Sequence, residues 1–251
     1  MSTETYKNAP ITEAALDIRV RLAKEITTDS LETLKDDGYP KLKQRPVQMQ
    51  VRIGPMVAVG TPVMHIAETI NTPLGFTYES ADGKQVFQVR TDGFTLNRLA
   101  PYQNWDRFSS EGKRLWKKYK ELAHPEYIEL LGLNYINQIL IPEGMDFSKH
   151  LRTYLEVSPV LPQRLNTFAM SFQATWPGEE QILLFVSQAI GPVIKPDFAT
   201  IVLSIQAFKP LQRTATDVDE EEMWMLFGKL RDVKNAVFEG CITDMVREEI
   251  R

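Results

Sequence analysis

Ile11-Thr12-Glu13-Ala14-Ala15-Leu16-Asp17-Ile18-Arg19-Val20-Arg21-Leu22 reads as a strand with one wet face. Leu16, Ile18, Val20 and Leu22 alternate with Asp17, Arg19 and Arg21, the period of two that a half-buried strand requires. A second strand-like run over residues 131–141 opens the other half of the chain. Outward from each run the signals come in the same order: a short helix, further strands, then a long amphipathic helix. The long helices are expected over 104–122 and 217–249. The pattern predicts an α+β fold of two similar halves, 1–125 as β-α-β-β-β-β-α and 126–251 as β-α-β-β-β-α, in one compact unit. The halves are expected to form a continuous curved antiparallel sheet with two long helices packed on one face. A helix-grip or another α+β sandwich is the alternative.

Shorter signals fill in the order. Strands are expected over 48–53, 63–70 and 86–99, the last a hairpin turning at Asp92-Gly93. In the second half, 168–176 and 181–189 flank the Pro177-Gly178 turn, and a strand over 199–208 is expected to stop before Pro210. The mixed apolar stretches 182–186 and 201–205 predict central strands covered by helices. Short helices are expected over 28–35, capped by Thr28 or Asp29, and over 147–154, capped by Asp146.

Composition narrows the classes of activity. The chain has 251 residues, 43% hydrophobic and 25% charged, with a formal net charge of −4, so it has no global attraction for nucleic acid or anionic lipid. A single cysteine, Cys241, rules out an internal disulfide, and its place in an apolar helical stripe suits an inert core thiol. Residues 1–10 are polar, without the apolar segment of a secretory signal, and no run approaches the ~20 apolar residues of a membrane span. A cytoplasmic protein with no membrane partner is the expectation. His65, His124 and His150 lack metal-site spacing and read as surface residues, and Asp217 with Asp219 to Glu222 reads as a helix N-terminus. No phosphate-binding loop, dinucleotide fingerprint or nucleophile elbow occurs, so no catalytic residue, metal or cofactor is assigned.

Five strings stand out: 8–14 (Asn8 to Ala14), 87–94, 102–105 (Tyr102-Gln103-Asn104-Trp105), Tyr135-Ile136-Asn137, and 238–244 (Phe238-Glu239-Gly240 onward). Together they resemble a sporadically distributed bacterial protein family of about this length, a domain of unknown function. That resemblance implies no reaction, cofactor or site residue; the family's patchy distribution suggests mobile or defence-associated genes. The order of elements separately resembles the duplicated fold of TATA-binding-protein-like proteins.

Physically, residues 8–13 place an X-Pro corner and an acid before a strand: either Glu13 pairs with an arginine, or the segment faces a ligand. Tyr102, Asn104 and Trp105 suit a helix start, with Asn104 as cap. Tyr135 and Asn137 share one side of a strand; a buried Asn137 needs a partner, or lines a polar pocket.

The leading expectation is a non-catalytic binding protein for a protein partner or small anionic ligand. Its ligand-binding candidates are Arg19, Arg52, Arg90, Glu13, Tyr135 and Asn137, the arginines converging on the wet sheet face with Asp17, Arg21, Gln50 and Gln88. The second is an enzyme with Glu13, His65, Tyr135 or Asn137 in a pocket between the halves. The third is nucleic-acid binding by the basic face of helix 104–122, with Lys113, Lys117 and Lys118 on phosphates and Trp116 stacking on a base. It ranks behind the others because the chain is acidic and those cations also face the acidic start of the second long helix. Exposed edge strands make a homodimer an expectation.

Overall fold

The computed structural model describes residues 6–45, 74–144, 146–158, 160–161, 166–178 and 181–251. The strands expected over 48–53 and 63–70, and with them Gln50, Arg52 and His65, lie outside the described residues.

Among the described residues nine strands form one antiparallel sheet: β1 (Ile11–Arg21), β2 (Lys41–Arg45), β3 (Gly75–Glu79), β4 (Gln85–Arg90), β5 (Gly93–Leu99), β6 (Tyr127–Pro142), β7 (Ala169–Thr175), β8 (Leu183–Ile190) and β9 (Phe198–Thr214), in the order β2-β3-β4-β5-β1-β6-β9-β8-β7. The chain is α+β, as its periodicities predict. β1 and β6, the two opening strands, pair with each other in mid-sheet, with Leu16 opposite Leu133 and Ala14 opposite Tyr135. β2 and β3 were not among the expected strands: Gly75–Glu79 lies between the strand expected over 63–70 and the hairpin expected over 86–99.

One face of β1, with Ala14, Leu16, Ile18 and Val20, is fully buried. Phe94 and Leu96 of β5 and Phe87 and Val89 of β4 extend that apolar face. Helix α2 (Trp105–Ala123) sets Trp116 and Tyr119 against Phe94, with ring centroids 6.1 and 5.9 Å away. The Tyr119 hydroxyl donates to the Arg90 carbonyl at 2.8 Å. Asn104 caps α2 as expected, accepting from the Arg107 amide. Helix α3 (Glu220–Cys241), capped by Asp219, spans two apolar clusters: Phe227 and Leu230 belong to the first, Phe238 and Cys241 to a second with Ile201, Leu203 and Val186.

Several boundaries differ for identifiable reasons. The hairpin loop is Thr91-Asp92, because Gly93 already pairs with Arg90. Gly93 is needed for close approach: a Cβ there would sit 2.4 Å from the Ile18 carbonyl, and its φ is +153°. Pro210 does not end β9, which runs to Thr214. β8 pairs with β9 only as far as Phe208, so Pro210 sits on a locally open edge and its missing N–H breaks no ladder. A register shift opposite Ile128–Leu130 and a left-handed Gln212 absorb the irregularity. β8 and β9 alternate in burial and are not enclosed on both faces, and β8 lies next to the edge.

The helix expected over 217–249 is broken. Ile242 leaves the helix to bridge Leu151, while the Arg152 amide bonds the Cys241 carbonyl; α4 (Asp244–Ile250) then restarts. The segment 147–154 keeps only a 3-10 turn at Phe147–Lys149, with Asp146 accepting from Ser148. Helix α1 (Thr28–Leu31) is a single turn with no side-chain cap. His150 is buried, not on the surface, and His124 ends α2 in the left-handed conformation. Among the described residues no helix is long and apolar enough to cross a membrane.

Candidate functional site

A cavity of about 650 Å³ opens where four segments meet: residues 6–11, the segment 100–105 that leads from β5 into the first residue of α2, the middle of β6, and one face of α3. Each wall is fixed locally. The amide of Gln138 bonds the Pro10 carbonyl and the amide of Asn8 bonds the Ile250 carbonyl, strapping the N-terminal segment between β6 and α4. The amide of Ala100 bonds the Thr12 carbonyl, anchoring the loop to β1. A register shift between Ile11 and Glu13 interrupts the β1–β6 ladder, and Ile11 lines the cavity beside Asn137. Four of the five strings singled out in the sequence contribute to these walls; the 87–94 string does not.

The α3 wall carries the charged side chains Arg231, Lys234 and Glu239. Arg231, Lys234, Asn235, Phe238 and Glu239 recur at helical spacing on one face. Lys234 is 7% exposed and its Nζ lies 3.9 Å from the centroid of the Tyr135 ring. Among the described residues it has no carboxylate within ion-pair distance. Burial, reinforced by the neighbouring Arg231 charge, lowers its amine to about 7, against a weaker pull upward from Glu239. Glu239 is itself engaged, accepting from the Tyr6 hydroxyl at 2.8 Å and from Arg247 at 2.7 Å. The Arg231 guanidinium stands 5.9 Å from the Trp105 ring centroid.

Opposite, the Tyr102 and Tyr135 hydroxyls are 3.0 Å apart. Burial raises both; for Tyr135 the shift is large and the Tyr102 hydroxyl adds to it, so both phenols stay protonated at neutral pH. Asn137, 2% exposed, donates to the Leu203 carbonyl at 3.2 Å. The site thus joins cationic groups on α3 to an aromatic wall of Tyr102, Trp105, Tyr135 and Phe238. Such walls suit a flat or apolar body, and the cations suit an anionic group.

The sequence-predicted residues divide between two places. Tyr135 and Asn137 line the cavity. Glu13 lies on the opposite side of the sheet, accepting from Asn97 Nδ2 at 2.6 Å and not from an arginine. It therefore cannot act with Tyr135 and Asn137.

Arg19 and Arg90 are on the Glu13 side and are neutralised internally. Arg19 contacts Asp17 at 2.7 Å and Asp92; Arg90 contacts Asp17 at 3.1 Å and Asp92 at 2.7 Å. Burial pushes the Asp17 carboxyl up, but Arg19, Arg90 and the Thr95 hydroxyl together outweigh it and hold the carboxyl below its usual range. Arg19 and Arg90 are thus matched by Asp17 and Asp92, and neither is left free for an anion, contrary to expectation.

The basic face of α2 is also largely committed. Arg114 and Lys118 hold Asp36, Lys120 meets Glu220, and Lys113 lies 5.5 Å from the Trp224 ring centroid. Lys117 is exposed. Trp116 is buried and stacks on Tyr119, so it offers no face to a base. Cys241 is buried, and burial raises its thiol.

The chain matches no protein-family model, no curated protein and no solved structure.

Proposed function

We propose that this protein binds a small organic anion, a carboxylate with a flat or apolar body, in the cavity between the N-terminal segment, the 100–105 loop, β6 and α3. The observation that carries this reading is Lys234, an amine enclosed in a cavity wall without a carboxylate partner among the described residues. Burying such a group costs several kcal/mol unless a partner compensates. A bound carboxylate supplies that compensation, and Arg231, one turn away on α3, supplies a fork for bidentate contact. The reading keeps the small-anion class and moves the recognising cations from Arg19, Arg52 and Arg90 to Arg231 and Lys234. Its test is a thermal-shift series with aromatic and aliphatic carboxylates against wild type and Arg231→Met. At least one acid raises the wild-type Tm and leaves the variant unmoved; equal shifts, or none with any acid, refute the reading.

The same reading treats the chain as two related halves, 1–125 and 126–251, with α2 and α3 as corresponding helices on one sheet face. What supports it is the central pairing of β1 with β6 and the contact of α2 with Leu16 and of α3 with Tyr135 on one side of those strands. The likenesses to the bacterial family and to TATA-binding-protein-like proteins belong to this proposal. Nucleic-acid binding stands behind it, since Trp116 is buried and three of the six α2 cations, Arg114, Lys118 and Lys120, are ion-paired.

A protein partner is favoured by one observation. Edge strand β7 is exposed along nearly its whole length, with Phe172 41% exposed. A second copy pairing along β7 makes a homodimer, and analytical ultracentrifugation of wild type and Phe172→Lys tests it. A wild-type dimer that the variant disrupts is the expected result; a wild-type monomer at all concentrations refutes it.

A further inference from the structure

The Lys234 amine differs from every other cation described in its surroundings. It sits inside the cavity, over the Tyr135 ring, with Arg231 one turn before it and Asn235 beside it on the same helix face. The residues that would neutralise it are turned elsewhere: Glu239 takes hydrogen bonds from Tyr6 and Arg247. An amine lining a cavity next to a guanidinium that can hold a carboxylate is the arrangement that carbon–nitrogen condensation needs.

We infer that Lys234 is a nucleophile that condenses with the carbonyl carbon of a carboxylate-bearing aldehyde or ketone, while Arg231 holds the carboxylate. This rests on the small-anion reading above and names its ligand class as oxo acids. The Nζ lone pair forms the N–C bond and the carbonyl π pair moves to oxygen, which takes up the proton that nitrogen releases. The carbinolamine then loses that oxygen as one water while the nitrogen lone pair closes the C=N bond. Nothing is oxidised or reduced, and no co-reactant is needed. The Tyr102–Tyr135 hydroxyl pair lines the same cavity, remains protonated at neutral pH, and carries the proton between nitrogen and oxygen. The lowered basicity of Lys234 is consistent with this role, because half of it is free amine near neutral pH.

The test is reductive trapping on the full-length chain. Pyruvate or glyoxylate with sodium cyanoborohydride at neutral pH, followed by peptide mass mapping, should give a reduced adduct on Lys234. Labelling there should be about a hundredfold or more faster than at exposed lysines, from the difference in free-amine fraction. Lys234→Met removes the adduct. Arg231→Met slows trapping of pyruvate but not of acetaldehyde, which has no carboxylate; circular dichroism checks that both variants are folded. Adducts spread evenly over the lysines, no adduct with either acid, or equal slowing of pyruvate and acetaldehyde by Arg231→Met overturns the inference.

Lactate, which has the carboxylate but no carbonyl, separates the two claims. If lactate raises the Tm through Arg231 and pyruvate leaves Lys234 unlabelled, the nucleophile is wrong and the binding reading stands. If neither lactate nor any other acid binds and Lys234 is unlabelled, both fall.

Discussion

Lys234 Nζ lies 3.9 Å from the centroid of the Tyr135 ring, joining the middle of α3 to the middle of β6 across the floor of the cavity. The contact offers a cation a π face but no countercharge. The pair therefore defines a site that is costly for the apo protein to maintain.

Lys234→Met should stabilise the protein while abolishing ligand binding. The amine falls from 10.5 in the unfolded chain to about 7 in the fold. Below pH 7 both states carry the proton and the folded state bears the full burial penalty. Between about 7 and 10.5 only the unfolded state binds it, so stability rises with pH, by at most about 1.4 kcal/mol per unit. The groups facing Lys234 are Arg231 and Glu239 from α3 and Tyr135 from β6. Urea unfolding at pH 6 and pH 10 should show the variant ahead by about 1–3 kcal/mol at the lower pH and by less at the higher. A variant less stable than wild type at pH 6 contradicts this account.

Acid should loosen the contact between α2 and the segment after α1. Burial raises the Asp36 carboxyl, but hydrogen bonds from Arg114 and Lys118 outweigh it and bring it from 3.8 to about 2. A depressed acid stabilises above its unfolded pKa and loses that contribution as pH falls from about 4 to 2. An acid titration followed by near-ultraviolet circular dichroism should show Asp36→Asn less stable at pH 6 and less sensitive between pH 4 and 2.

Arg90→Met should destabilise the protein, because it leaves Asp17 with one partner fewer in a largely buried setting. Asp17 keeps 20% of its side-chain surface exposed, so the loss should be about 2–3 kcal/mol, below that for a fully buried pair. Ligand binding should be unchanged once stability is allowed for. A loss of affinity would return the anion site to the other sheet face.

Gly93→Ala should cost at least about 2 kcal/mol in chemical denaturation, since its Cβ would strike the Ile18 carbonyl at 2.4 Å. Gly144→Ala, at a turn with nothing within 4 Å but a φ of +80°, should cost only the backbone strain, about 1 kcal/mol.

Much of the fold was legible because β1, β6 and α2 follow strict periods and α2 carries its own cap. What was not legible depends on contacts distant in sequence. Nothing near Ile242 predicts the break after α3, because its cause is the bridge to Leu151. Nothing near Pro210 says that β8 stops at Phe208 and leaves an open edge.

For the site, Tyr135 and Asn137 were visible as polar groups on a strand's buried side. Glu13, Arg19 and Arg90 were misplaced because alternation alone does not say which face meets the helices or which charges neutralise each other. Lys234 did leave a signal. It stands four residues after Leu230 and four before Phe238, where the helical period calls for an apolar residue. A lysine inside an apolar stripe marks either a snorkelling side chain or a functional amine, and its neighbours in space decide between them.

The most direct test of the central claim is native mass spectrometry of the protein purified at low salt from its own host, wild type beside Lys234→Met and Arg231→Met. The account predicts a small acidic molecule on the wild type that is absent from both variants. Bare wild-type protein that also fails to take up any added carboxylate, or a ligand held equally by all three forms, would contradict it.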